Sequence, residues 1–145
     1  MSTDETTEHE IRRLHEGWFE ASHRKDLDAS MAGIASTILS YEHSAPLRRT
    51  SIDEIREECR RGYALVGNDF VWTVPDLQVV SDGDLAVAWG LNRMTDRLSD
   101  GSESTTWSRG TRVFRRRSRG WTMIHQHVSF PIDPETGLAA IGLEP

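Results

Sequence analysis

Cysteine, long apolar runs and positive charge are scarce in this sequence, and each shortage excludes something. Cys59 is the only cysteine in 145 residues, so no disulfide can form within the chain. A lone thiol suits a reducing compartment, and the cytoplasm is the expected location. No apolar run is long enough to cross a bilayer, so no membrane partner is expected. The N-terminal Met1-Ser-Thr-Asp-Glu5 is acidic and has no apolar region, so it does not read as a signal peptide. A formal net charge of −6 argues against broad binding to nucleic acid. Arg112, Arg115, Arg116, Arg117 and Arg119 are a local exception around an expected hairpin turn, and they read as a solvated strand end. No nucleophile elbow, phosphate loop, dinucleotide fingerprint or zinc-finger spacing occurs.

The residues that are present describe one domain over 1–145. Hydrophobic residues make up 37% and charged residues 28%, a balance that can fill a core and still face water. Residues 1–6 and 138–145 are expected to be flexible tails. Ile11, Leu14, Trp18 and Phe19 recur at helical spacing from Thr7 to about Arg24. Asp26 can cap a second helix carrying Leu27, Met31 and Ile34. Ile38 to Ser44 reads as a short strand. Ser51 and Glu54 fit a capping box for a third helix, with Ile52, Ile55, Cys59 and Tyr63 on one face. On that face Cys59 reads as a small core residue.

Past Gly67 the period changes from helical to two. Strands are expected over Phe70 to Val80, irregular at Pro75, and over Leu85 to Thr95, Ser104 to Arg117 and Trp121 to Phe130. Helices followed by an antiparallel meander mean α+β: three N-terminal helices packed on one face of a curved antiparallel sheet. Such a roll encloses a conical pocket, apolar at the bottom and polar at the mouth.

The last strand organises the search for chemistry. Alternation puts Trp121, Met123, His125, His127 and Ser129 on one face, running from apolar to imidazole and hydroxyl. A pocket imidazole can shuttle protons, order the sheet, or ligate a metal. The metal reading is the least favoured, because spacing supplies no third ligand. Trp107, Arg109, Thr111 and Val113 share a face of the preceding strand. There Trp107 would form an aromatic wall, and Arg109 an anion contact or a partner for Glu42. Trp89, Leu91 and Arg93 share a face with Asn92 opposite, and Trp72 and Trp89 read as core or interface. Glu42 is the carboxylate expected inside, beside Tyr41 and His43. It is either a base with a raised pKa or the partner that fixes a histidine tautomer.

Several stretches resemble the SnoaL-like branch of the nuclear-transport-factor-2-like superfamily, which includes ketosteroid isomerases and polyketide cyclases. They are Gly83-Asp84-Leu-Ala-Val, Leu91-Asn92-Arg93, Trp107-Ser-Arg109, Asp133-Pro-Glu-Thr-Gly137 and, most specific, Gly120-Trp121-Thr-Met-Ile-His125-Gln-His127-Val-Ser129-Phe-Pro131. The resemblance implies a cone-shaped fold, a homodimer through the sheet, a pocket between sheet and helices, and no organic cofactor; no metal is expected from the spacing of the histidines. It implies an isomerase or cyclase that moves protons on a small, mostly apolar carbonyl compound. Relatives commonly show Asp after an aromatic in the first short strand, where this chain has Glu42 after Tyr41. The expected catalytic residues are Glu42, His125 and His127. The expected substrate contacts are Tyr41, His43, Trp89, Asn92, Trp107, Arg109 and Ser129. The alternative is a non-catalytic ligand-binding or dimerisation module of the same fold.

Overall fold

The computed structural model describes residues 2–145. Ser2 starts the first helix. Its hydroxyl accepts from the Glu5 N–H at 3.1 Å, and the Glu5 carboxylate accepts from the Ser2 N–H at 2.9 Å. This reciprocal pair is a capping box. Helix α1 therefore runs Thr3–Arg24, starting before the expected Thr7. Of the expected tail at 1–6, Met1 lies outside the described residues, and Thr3 onward is helical. The helix buries Thr7, Ile11, His15, Trp18, Ala21 and Ser22, a stripe at helical spacing. Lys25 ends it in the left-handed region, φ 55°.

Asp26 caps α2, a single turn at Leu27–Ser30. It stops short of Ile34, which opens strand β1, Ile34–Tyr41. Helix α3, Ile52–Leu65, starts at Ser51, whose hydroxyl accepts from the Glu54 N–H at 3.3 Å. The expected strand over Phe70 to Val80 is two strands, β2 (Val71–Thr73) and β3 (Gln78–Asp82). Pro75 lies in the break, where its missing N–H costs no ladder bond. Val74 and Leu77 in that break are core residues. Long strands β4 (Leu85–Arg97), β5 (Glu103–Arg117) and β6 (Gly120–Ser129) complete the sheet.

The strand order is β1-β6-β5-β4-β2, with β3 also on β4. The expected all-antiparallel sheet is mixed, because β1 pairs parallel to β6. No hairpin joins those two strands. α3 and the whole meander lie between them in sequence, so parallel pairing is open to them. Helix α1 lies against β2 and β3, and α3 lies against β1. Between helices and sheet sit Ile11, Trp18, Ile38, Ile55, Val74, Leu77, Phe114, Trp121 and Met123. Past β6 the chain turns back on itself. Ile132 bridges Ala139, and the Ala140 N–H donates to the Pro131 carbonyl at 2.7 Å, so the start of the expected 138–145 tail is tied down.

One irregularity decides which side chains face the helices. Phe114 pairs with Met123 and Val113 with His125, leaving Ile124 as an extra residue in β6. Such a bulge shifts the alternation by one. Before it, Trp121 and Met123 face inward as expected. Beyond it the inward residues are Gln126 and Val128, opposite Arg112 and Gly110.

Candidate functional site

On the inner face of β4 and β5, cross-strand pairs form a ladder toward the core. Asp96 pairs with Ser104, Met94 with Thr106, Asn92 with Ser108, Gly90 with Gly110, and Ala88 with Arg112. The first two rows, with α3, enclose a cavity of about 380 Å³ walled by Cys59, Tyr63, Val66, Phe70, Met94 and Thr106. The rows that follow along the ladder carry the polar side chains of Asn92, Ser108 and Arg112.

Their centre is Arg112, which is 2% exposed. Its Nε–H donates to Gln126 Oε1 at 2.8 Å, and its Nη2 donates to Asn92 Oδ1 at 3.0 Å. The guanidinium carbon lies 5.3 Å from the Trp72 ring centroid, a cation–π contact. Trp72 Nε1 also donates to Asn92 Oδ1, at 3.1 Å. Burial pushes the Arg112 pKa down to about 10, and Glu42 partly offsets this.

The chain of bonds runs on in both directions. Gln126 Nε2 donates to Glu42 Oε1 at 3.3 Å, and Ser40 Oγ donates to the same oxygen at 2.5 Å. On the other side, Asn92 Nδ2 donates to Ser108 Oγ at 3.0 Å, and Ser108 Oγ lies 2.7 Å from His43 Nε2. Burial of the ring, with the Arg112 charge second, holds His43 down to about 4, while Glu58 pulls upward. Part of His43 is open to solvent, which softens the burial effect; the downward direction stands, and the imidazole is neutral at pH 7. Burial, then Glu42 and Glu58, pushes the Cys59 thiol up to about 11, so this wall residue is not a nucleophile at neutral pH.

The expected site residues divide between the two faces of the sheet. Glu42, His43 and Asn92 belong to the polar chain. His125 and His127 do not, because the bulge at Ile124 turns them outward. His125 Nδ1 lies 2.7 Å from the Leu39 carbonyl, and the Tyr41 ring sits between the two imidazoles at 5.0 and 5.4 Å. Tyr41, His127 and Ser129 line an open groove outside, whose edge Glu42 also reaches. Trp107 and Arg109 face outward too, over a crevice of about 150 Å³ closed by Leu143, Glu144 and Pro145. Their expected place on the pocket face followed from the histidines and fails for the same reason. Trp89 is 42% exposed on the outer face, while Asn92 is 2% exposed on the inner one. Phe114, which alternation sets on the face opposite Trp107, Arg109, Thr111 and Val113, is fully buried in the core.

Five residues of the site escaped sequence reading: Arg112, Ser108, Gln126, Ser40 and Trp72. Arg112 was read with the rest of its arginine run as a solvated strand end, and the structure buries it. Its alternation with Phe114 was the available signal. Among the described residues, no group of three His, Cys, Asp or Glu is placed to hold a metal ion.

Comparison with known proteins places the chain. The SnoaL-like domain family matches residues 11–133, and the chain belongs to that family. A crystal structure of an NTF2-like protein of unknown function from Pseudomonas putida KT2440 is similar over 100% of this chain and 99% of its own. The identity is 30% and the TM-score 0.87. Two more distant structures share the fold. A candidate dehydratase of the NTF2-like family from Streptomyces avermitilis is 17% identical over 88% of this chain and 97% of its own, with a TM-score of 0.76. The association domain of C. elegans CaMKII is 18% identical over 88% of this chain and 98% of its own, with a TM-score of 0.73. No curated protein sequence matches the chain. No helix among the described residues is long and apolar enough to cross a membrane.

Proposed function

We propose that this chain is a cofactor-free acid/base enzyme, of isomerase or cyclase type. It moves a proton on a small, mostly apolar carbonyl compound held between α3 and the sheet. The observation that carries this reading is the bonded chain Ser40–Glu42–Gln126–Arg112–Asn92–Ser108–His43, laid beside an otherwise apolar cavity. Pockets of this make-up bind small molecules.

Glu42 is the base. Both of its hydrogen bonds go to Oε1, which leaves Oε2 to take the acidic proton beside the carbonyl. The enolate oxygen that forms is met by donors from Asn92, Ser108 or His43, with the Arg112 charge behind them. Such preorganised donors are worth about 3 kcal/mol each in favourable cases. His125 and His127 take no part, since they lie across the sheet.

The protein acts as a homodimer in the cytoplasm. Tyr41, Val80, Leu85 and Trp89 are exposed apolar or aromatic residues of the sheet, and exposed apolar patches suit a partner surface. The single free thiol, Cys59, fits a reducing compartment.

Deuterium exchange in D₂O, followed by proton NMR on small cyclic ketones and 1,3-dicarbonyls, tests the chemistry. Wild type should accelerate exchange beside the carbonyl. Glu42→Gln should lose about 100-fold or more while staying folded, because it removes a proton acceptor at constant size. Full activity in that variant, or no acceleration by wild type on any compound, overturns the reading.

A further inference from the structure

Arg112 holds a positive charge in the interior with no carboxylate in direct contact. Among the described residues it forms no ion pair with any carboxylate. Its neighbours, Gln126, Asn92 and Trp72, are all neutral. Glu42 is near enough for its charge to raise the Arg112 pKa, but it makes no direct contact and is bonded to it only by way of the Gln126 amide. Arginine is almost never fully buried unless paired, and a buried charge without its counter-ion is strongly unfavourable.

The guanidinium is also one bond short. Nη1 is buried and has no hydrogen-bond partner. Gly110 lets the guanidinium and the Asn92 amide lie close over the strand. A Cβ on Gly110 would lie 3.2 Å from Nη1 and 3.0 Å from Asn92 Nδ2. So a charged donor, an unfilled bond and a missing counter-ion coincide in the ladder rows next to those that line the cavity.

We infer that the ligand of this cavity is a small organic acid. Its carboxylate docks on Arg112 Nη1 beside Asn92 and Ser108, and its apolar body lies among Tyr63, Val66, Phe70 and Met94. This rests on taking the α3–sheet cavity as the ligand site. Within the enzyme reading above, it makes the substrate an oxo acid. A single negative charge matches the one guanidinium at this site. A phosphate dianion would overshoot it, with Glu42 already near Arg112 and Asp96 on the cavity wall.

Calorimetric titration of the full chain with 3-phenylpropanoate and 3-phenylpropanamide tests this, because the two share a skeleton and differ in head-group charge. The acid should bind wild type at least tenfold more tightly than the amide. Arg112→Met should abolish that preference, and Arg112→Lys should keep part of it. Equal binding of the two, tighter binding of the amide, or no binding of the acid overturns the inference. If Arg112→Met does not fold, the wild-type comparison decides alone. The two readings fail separately. Proton exchange on neutral ketones without acid preference sinks only the organic acid. Acid preference without exchange on any oxo acid sinks only the chemistry.

Discussion

His15 offers a test of the core in which the sign and size of the effect follow from geometry. It is 0% exposed on α1, with the rings of Trp18, Phe114 and Phe19 at 5.1, 5.9 and 6.2 Å. Its Nδ1 lies 2.8 Å from the Ile11 carbonyl, which can only accept, so Nδ1 carries the proton. Nε2 is buried without a partner. Charging the ring would put a proton there with nothing to receive it. Burial first, and the Arg112 charge second, lower its pKa from 6.5 to about 4, against the Ile11 bond, which raises it. Above pH 6.5 both folded and unfolded chains are neutral at this site, and it contributes no pH dependence. Below 6.5 the unfolded chain takes a proton that the folded chain refuses. Stability then falls by roughly 1.4 kcal/mol per pH unit, to a total of about 3 kcal/mol near pH 4. Urea unfolding of wild type and His15→Phe at pH 8, 6 and 4.5 measures this. Phenylalanine keeps the ring packing and cannot titrate. The two proteins should differ by less than about 1.5 kcal/mol at pH 8. At pH 4.5 the variant should gain about 2 kcal/mol or more relative to wild type. Parallel pH curves would refute the argument. Arg112→Met should reduce the acid loss of wild type, since it removes the second cause.

Three other outcomes are expected. Gly90→Ala would place a Cβ 2.4 Å from Val74 Cγ1 and 3.3 Å from Leu77 Cα, so thermal melts should show a loss of about 1–3 kcal/mol. An unchanged melt would contradict the packing of the Val74–Leu77 crossing on β4. His125→Ala removes the contact to the Leu39 carbonyl at 2.7 Å and should cost about 1 kcal/mol of stability. Its proton-exchange rate should stay within twofold of wild type, and a tenfold loss would return this histidine to the mechanism. Light scattering at micromolar concentration should give a dimer mass, and Trp89→Asp should lower it to the monomer. A monomer mass for wild type counts against the sheet-face interface.

Much of the fold was legible because local chemistry and global pattern agree. Ser51 with Glu54, Asp26, and the change of period at Gly67 each mark an element that forms where they stand. Pro75 correctly marked an irregular strand. The site was less legible, because pattern reading carries a face assignment forward without interruption. Nothing in Met123-Ile124-His125 announces an extra residue. One bulge was therefore enough to place His125, His127, Trp107 and Arg109 on the wrong side. Glu42 was placed inside through resemblance, since alternation alone did not say which way it points. Arg112 was hidden by its neighbours. Arg115, Arg116 and Arg117 are exposed, and only Phe114 beside it tells that the strand has entered the core.

The parallel pairing of β1 with β6 also bears on how the chain is made. Ser40 and Glu42 meet Gln126 across 84 residues of sequence in the case of Glu42, so the polar chain closes only when the last strand is present. Contacts of such long separation form slowly, because the chain between them must be ordered first. During synthesis from the N-terminus, β1 and β5 each expose an unpaired edge until β6 has emerged. Unpaired strand edges are the aggregation-prone surfaces of unfinished chains. The final strand thus works as a closing seam, and a ribosome halted before Gly120 would release a sheet in two unjoined pieces.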